Sequence, residues 1–378
     1  MMNGSLTVTH CRELLGGEKQ QSRCRMSSPG SSFLNQVGKA QASVTGFEYN
    51  AGWYRVTTPL PGENRQGRFV IEKIGEKHGQ TPCHRPRMEA YMEAGEKLRE
   101  RLSKDEILVL PGIYDALTAK IAVSQGFDGL VMGGYAVSAS RLGQPDVGYL
   151  SMTEMRDALR TITRAVDVPV VADGDTGYGN ALCAQRTFRE FEWAGAAAVL
   201  LEDQVWPKRC GHMAGKQVVD AELHAKKLRA VADAKLHDST ILIARTDSRA
   251  VYGIDAAIER GKLYLDSGAD ALFIEAPQSV EELEKIGKGF PDTILVANMI
   301  EGGRTPNLTD KDLQDMGFDI VFWPCTAVYA ITKAFSDVMH ALRTDGNTRN
   351  CEDKMMHFSD FNRFIGLDTY NALDEKYK

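Results

Sequence analysis

The sequence predicts an α/β protein built as a (β/α)8 TIM barrel, and three observations predict it. Eight short apolar or β-branched runs follow one another between Ile107 and Trp323. The segments between them carry apolar residues at three- and four-residue steps, as amphipathic helices do. Five consecutive runs end in charged or amide residues, the pattern of a barrel whose active site lies at the C-terminal ends of its strands.

In chain order the runs cover residues 107–110, 129–132, 168–172, 198–201, 241–244, 271–274, 294–297 and 320–323. They are apolar throughout instead of alternating, so each is expected to be a strand covered on both faces, which means parallel βαβ units. Helical spacing marks residues 153–165, 184–194, 220–236, 254–267 and 326–342. A doubly wound open sheet and a barrel of about 250 residues both satisfy this alternation. Eight repeats favour the barrel, and no Gly-x-Gly-x-x-Gly turn follows the first run to support a dinucleotide-binding open sheet.

Composition narrows the partners. The 378 residues are 43% hydrophobic and 25% charged, ample for a globular core. Lys and Arg total 45 against 51 Asp and Glu, a net charge of -6, so no general basic field is available for nucleic acid. The best apolar run, 194–201, contains a glycine and falls far short of the roughly 18–20 residues of a spanning helix, which argues against a membrane partner. Seven cysteines scattered from Cys11 to Cys351 show neither disulfide nor zinc spacing and point to a reducing, cytoplasmic setting.

Residues 1–84 are expected to form an N-terminal extension, largely disordered or weakly structured, and residues 85–378 the barrel domain with C-terminal helices. The first 45 residues hold five basic and two acidic side chains with several serines, which leaves organelle targeting as an alternative to a plain tail.

The polar strand ends carry the chemistry. The third run leads into Asp173 and Asp175, the fourth into Glu202-Asp203, the fifth into Arg245-Thr246-Asp247, the sixth into Glu275, and the seventh into Asn298 followed by Glu301. Asp173, Asp175 and Glu202 form a hard-oxygen set that suits Mg2+, with Mn2+ as a substitute, because Mg2+ takes one or two carboxylates and keeps several waters. The two aspartates point the same way only if the chain is still extended between them. After the fourth run comes a loop with Cys210 between Lys208-Arg209 and His212. Positive neighbours favour the thiolate, so the Cys210 pKa is expected below its ordinary value, suited to proton transfer or nucleophilic attack. Cys183 and Cys325 are expected to pack.

The run Asp173-Gly-Asp-Thr-Gly-Tyr-Gly179, the Glu202-Asp203 pair, Lys208-Arg-Cys-Gly-His212, Ala244-Arg-Thr-Asp247 and Asn298-Met-Ile-Glu301 resemble, in order and spacing, the isocitrate lyase and phosphoenolpyruvate mutase superfamily. The resemblance covers roughly residues 88–378. Its closest branch is the one containing petal death protein, 2,3-dimethylmalate lyase and oxaloacetate hydrolase, since Tyr135 and Met213-Ala-Gly-Lys216 depart from the methylisocitrate lyase pattern. The resemblance implies a barrel with a swapped eighth helix, a homodimer or homotetramer, and a small dicarboxylate substrate.

It also implies roles. Asp173 would bind Mg2+ directly, Asp175 and Glu202 through water, with Asp146 as a further acidic residue near the metal. Gly133, Gly134 and Tyr135 would bind the substrate carboxylate together with Arg245, and Glu275, Asn298 and Glu301 would complete the substrate site. Cys210 would protonate the leaving carbanion, with Lys208 and His212 of its loop among the catalytic residues; the hydroxyl proton would go to Tyr135 or to water on the metal. The implied reaction is carbon–carbon cleavage of a 2-alkylmalate or dimethylmalate. Oxaloacetate hydrolysis or decarboxylation, 2-methylisocitrate cleavage and a non-catalytic scaffold are the alternatives.

Overall fold

A computed structural model describes strands at residues 45–49, 52–57 and 70–75 and the whole of residues 88–378, with side chains from Ala94 onward. The chain divides into two compact units, Met1–Arg85 and Pro86–Lys378. In the first, β1 (Thr45–Tyr49), β2 (Gly52–Thr57) and β3 (Val70–Gly75) form an antiparallel sheet in that order. Aromatic and β-branched residues supply these strands, in keeping with their fit to a pleated surface. The remainder of the extension, with Cys11, Cys24, Cys83 and the transit-like segment, lies outside the described residues.

The second unit is a closed parallel barrel. Its strands are β4 (Leu108–Ile113), β5 (Leu130–Met132), β6 (Val170–Asp173), β7 (Ala198–Glu202), β8 (Ile241–Thr246), β9 (Ala271–Ile274), β10 (Ile294–Asn298) and β11 (Ile320–Trp323). Each pairs with its neighbour in the chain, and β11 closes on β4. All eight fall on the apolar runs of the sequence.

Strand side chains alternate between faces, and that alternation places the site. Val171, Ala198, Leu200, Ile241, Ile243, Ala271, Phe273 and Val296 pack together inside the barrel. Their chain neighbours Ala172, Val199, Leu201, Leu242 and Ala244 pack outward against the helices, as do Leu272, Ile274, Leu295 and Ala297. Counting on by two from each inner residue reaches Asp173, Glu202, Arg245, Glu275 and Asn298. All five therefore stand on the inner face at one end of the barrel, above an apolar plug.

The helices Met152–Thr163, Ala181–Trp193, Ala221–Ala232, Ile254–Leu265 and Thr326–Asp345 occupy the segments with helical spacing. Met152–Thr163 shows why: Ser151 and Glu154 form a reciprocal capping box, and Met155, Ala158, Leu159 and Ile162 make one buried stripe. Thr326–Asp345 differs, since Val338 is its sole buried residue. Among the described residues no helix is long and apolar enough to cross a membrane.

Candidate active site

A cavity of about 60 Å³ opens at the C-terminal ends of the strands. Gly133, Gly134 and Tyr135 line it from the loop and helix start after β5; Asp146 and Asp173 line one side and Arg245, Glu275 and Asn298 the other. Lys208 and Cys210 line it from the loop after β7. Asp175, Glu202 and His212 stand behind this lining. Glu301 does not reach it: its side chain is exposed and accepts a hydrogen bond from Thr326 Oγ1.

Asp173 is fixed by two backbone donors, Gly134 N to Oδ2 and Asp175 N to Oδ1, both at 3.0 Å. Burial pushes its carboxyl up, but Lys208, Arg245 and these amides outweigh it and hold the pKa below the usual value. Asp175 is not reached through extended chain. Its φ is +48°, so the backbone turns left-handed after β6 and swings the second carboxylate back towards the first. A Cβ on Gly134 would lie 3.1 Å from Lys208 Nζ, 3.2 Å from Asp173 Oδ2 and 3.4 Å from Asp175 Oδ1, so the three groups converge on a bare glycine. Burial, aided by the charges of Asp173 and Asp146, raises Asp175 to about 6 even though Lys208 pulls it down.

Lys208 is the cation of this corner. Its Nζ donates to Asp146 Oδ2 at 2.7 Å and forms an ion pair with Asp175 Oδ1, also 2.7 Å, at an angle outside hydrogen-bond geometry. Burial pulls its pKa down, but Asp175, Asp146, Asp173 and Glu202 outweigh it and raise the pKa well above the ordinary lysine value. Arg245 does the same across the mouth, reaching Glu202 Oε2 at 3.3 Å and Asp247 Oδ2 and Glu275 Oε2 at 3.0 Å. Burial would raise Glu275, but Arg245 and His212 hold it well below the carboxylate range. Gly211 is where the loop touches this cluster; a Cβ there would fall 2.5 Å from both Arg245 Nη2 and Glu275 Oε2.

Cys210 corrects the expectation from its neighbours in sequence. Its thiol pKa is pushed up to about 11, first by burial, then by the charges of Asp146 and Glu275, against the opposing pull of the His212 amide and Arg245. Lys208 cannot stabilise a thiolate because Asp146 and Asp175 already occupy it, and Arg209 is exposed and donates to Ala214 O at 3.2 Å. The thiol therefore keeps its proton at neutral pH. Cys183, expected to pack, is exposed; Cys325 is buried but lines the cavity, which no local pattern in the sequence signals. Tyr329, also unforeseen, stacks edge-on against Tyr135 at 6.2 Å.

The donor set fits a hard cation. Six buried or half-buried carboxylates, Asp146, Asp173, Asp175, Glu202, Asp247 and Glu275, share three basic side chains, Lys208, Lys216 and Arg245. Glu202 Oε1 and Asn298 Oδ1 are buried without hydrogen-bond partners. Among the described residues no three His, Cys, Asp or Glu side chains converge tightly enough to enclose an ion alone. An ion here must keep water in its remaining positions, as Mg2+ does.

The sequence model of one protein family, Phosphoenolpyruvate phosphomutase, matches residues 98–343. The chain is 46% identical over 286 residues to 2,3-dimethylmalate lyase of Eubacterium barkeri, covering 76% of this chain and 99% of that one. It is 46% identical over 280 residues to the chloroplastic carboxyvinyl-carboxyphosphonate phosphorylmutase of Arabidopsis thaliana, covering 73% and 82%. Among solved structures, oxaloacetate acetylhydrolase in complex with the inhibitor 3,3-difluorooxalacetate superimposes with a TM-score of 0.72 at 32% identity, covering 76% and 97%.

Proposed function

The chain belongs to the phosphoenolpyruvate phosphomutase family, within the isocitrate lyase/phosphoenolpyruvate mutase superfamily, and from that premise we propose that it is a carbon–carbon lyase. Its substrate is a 2-hydroxy dicarboxylate of the 2-alkylmalate or dimethylmalate type, cleaved to a 2-oxo acid and a carboxylic acid. The observation that carries this reading is the position of Cys210, a half-buried thiol whose pKa is raised, lining the same small cavity as Arg245, Gly133 and Gly134. A phosphoryl-shifting mutase returns its enolate carbon or oxygen to phosphorus and needs no proton donor there. The resemblance to 2,3-dimethylmalate lyase supports the same choice.

The reaction balances on these groups. The 2-hydroxyl loses its proton, the oxygen electrons form the ketone, and the C2–C3 bond electrons leave with C3 as a carboxylate-stabilised carbanion. Arg245 and the helix start at Gly133 and Tyr135, whose Gly134 amide is already given to Asp173, hold the substrate carboxylates and stabilise that charge. Cys210 gives its proton to C3, and the proton released from the hydroxyl restores the thiol. Tyr135, half-buried in the cavity wall, is the side-chain hydroxyl offered to that proton. Mg2+, held by Asp173 with Asp175, Glu202 and Asp146 around it, would supply the positive charge that makes ionising the hydroxyl affordable. Val131, Leu200, Phe273, Ile300, Phe322 and Pro324 give the cavity an apolar wall suited to alkyl substituents.

Likeness to oxaloacetate acetylhydrolase favours a second reading, hydrolysis of oxaloacetate on the same polar residues. Product analysis with 2,3-dimethylmalate, oxaloacetate and carboxyvinyl-carboxyphosphonate separates the readings: a 2-oxo acid plus a carboxylic acid from the first supports the lyase, and turnover of either other compound alone overturns it.

The protein is further read as a homodimer or homotetramer. Ile331, Phe335, Met339 and Leu342 form an exposed stripe at helical spacing on Thr326–Asp345, and a helix with one buried residue in 20 needs a partner surface. Exchange of this eighth helix with a second copy would cover it.

A further inference from the structure

We infer that Gln204 and Lys216 are the positioning residues that hold Cys210 at the cavity, each gripping the backbone on one side of it. The inference rests on the reading of Cys210 as the proton donor and concerns two residues that reading leaves without a task.

Gln204 is buried at the end of β7. Its side-chain Oε1 accepts from Arg209 N at 3.0 Å and its Nε2 donates to Arg209 O at 2.8 Å, so one amide pairs with both backbone groups of the residue before Cys210. Lys216 is buried on the far side of the loop. Its Nζ donates to Gly211 O, the carbonyl of the residue after Cys210, and to Asp247 Oδ1 at 2.7 Å. Asp247 is itself anchored, for its amide donates to Asp203 Oδ1 at 2.9 Å and its carboxylate receives Arg245. The feet of the loop are joined by a short antiparallel bridge, Gln204 to Val218, with Val205 N to Gln217 O at 2.9 Å and Val219 N to Asp203 O at 2.8 Å.

A loop joined at its feet still needs its tip held, and the thiol sits there between Lys208, paired with Asp146 and Asp175, and His212, paired with Glu275 and bound by Arg304. The backbone at Arg209 and Gly211 makes no strand or helix ladder to fix it. Beside those contacts, Gln204 and Lys216 grip the backbone of the two residues that flank Cys210, and both reach back to strand ends that also carry the carboxylate-binding groups. Neither Gln204 nor Lys216 lines the cavity, so neither needs to touch substrate. Lys216 does a second thing: its ammonium shares with Arg245 the carboxylate cluster of Asp247, Glu202 and Glu275, so displacing the loop would leave them Arg245 and the neutral donors Gln204 and Asn298.

The test uses the full chain and three variants, Lys216→Met, Gln204→Leu and Lys216→Arg. The direct readout is the rate at which iodoacetamide alkylates Cys210, followed by peptide mass spectrometry, since this reports on the thiol without substrate. Lys216→Met and Gln204→Leu should each raise that rate about tenfold by loosening the tip. With 2,3-dimethylmalate, kcat should fall about 100-fold while KM stays within about threefold, the mark of a misplaced group and not a lost binding contact. Lys216→Arg should recover most of both, because it keeps the charge on Asp247. Gln204→Leu removes no charge and carries the test if Lys216→Met does not fold. Wild-type alkylation rates in the folded variants would overturn the inference, as would a loss that Lys216→Arg fails to relieve. Full turnover by Cys210→Ser would instead remove the proton-donor reading, and the alkylation rates would still decide whether these side chains hold the thiol.

Discussion

Glu202 and Arg245 face each other as register partners on β7 and β8, with Arg245 Nε 3.3 Å from Glu202 Oε2. The same guanidinium contacts Asp247 and Glu275 at 3.0 Å, so one buried cation serves carboxylates from three adjacent strands. Arg245→Met should therefore lower folding stability by about 3–5 kcal/mol, the loss expected when buried carboxylates lose their partner, and should abolish oxalate binding. Urea denaturation and titration calorimetry check both; a stable variant that still binds oxalate would remove Arg245 from the substrate site.

Chelation by EDTA should abolish turnover, and added Mg2+ or Mn2+ should restore it, because carboxylates with water between them hold such ions loosely enough to exchange. Asp173→Ala should lose the metal response while its circular dichroism spectrum stays native. Full activity in EDTA would contradict the assignment of these carboxylates.

The raised Cys210 pKa sets a pH dependence with a definite sign. An acid must be protonated to act, and a thiol titrating near 11 stays protonated across the physiological range. Alkylation of Cys210, which needs the thiolate, should be slow at pH 8 and climb only as pH approaches that value. An inflection below 8.5 would show an activated thiolate, as the flanking residues in sequence suggest.

How far the sequence reveals the site follows from which forces are local. Alternation along each strand is local, so Asp173, Glu202, Arg245, Glu275 and Asn298 are legible from the apolar runs that precede them. The state of Cys210 is not local. Lys208, two residues away, looks like its activator, yet pairs with Asp146, 62 residues distant, and with Asp175. Asp175 itself arrives through a left-handed turn that no pattern of apolar residues announces. Glu301 shows the opposite failure: it follows a strand end like the others, but three residues past Asn298 the chain has left the barrel and the side chain turns to Thr326.

Substrate size is open to a kinetic test. Met213, not an arginine, follows His212, so the loop offers a third carboxylate no cation at that position. Four-carbon dicarboxylates and their short-alkyl derivatives should be cleaved with kcat/KM at least ~100-fold above 2-methylisocitrate. Equal rates would place the enzyme with the methylisocitrate lyases.

Every residue placed in the site lies beyond residue 85, so a chain starting there should remain folded and keep turnover within about twofold, a surface-level change. Aggregation or loss of activity in the shortened protein would show that the barrel depends on the segment containing β1 to β3.

The most direct measurement compares wild type with Cys210→Ser on 2,3-dimethylmalate, alongside oxalate affinity by calorimetry. Serine nearly matches cysteine in volume but is a far weaker acid, so turnover to the 2-oxo acid and carboxylic acid should fall by at least about 100-fold with oxalate binding retained. Undiminished cleavage by the variant would contradict protonation by Cys210 and, with it, the mechanism built on that thiol.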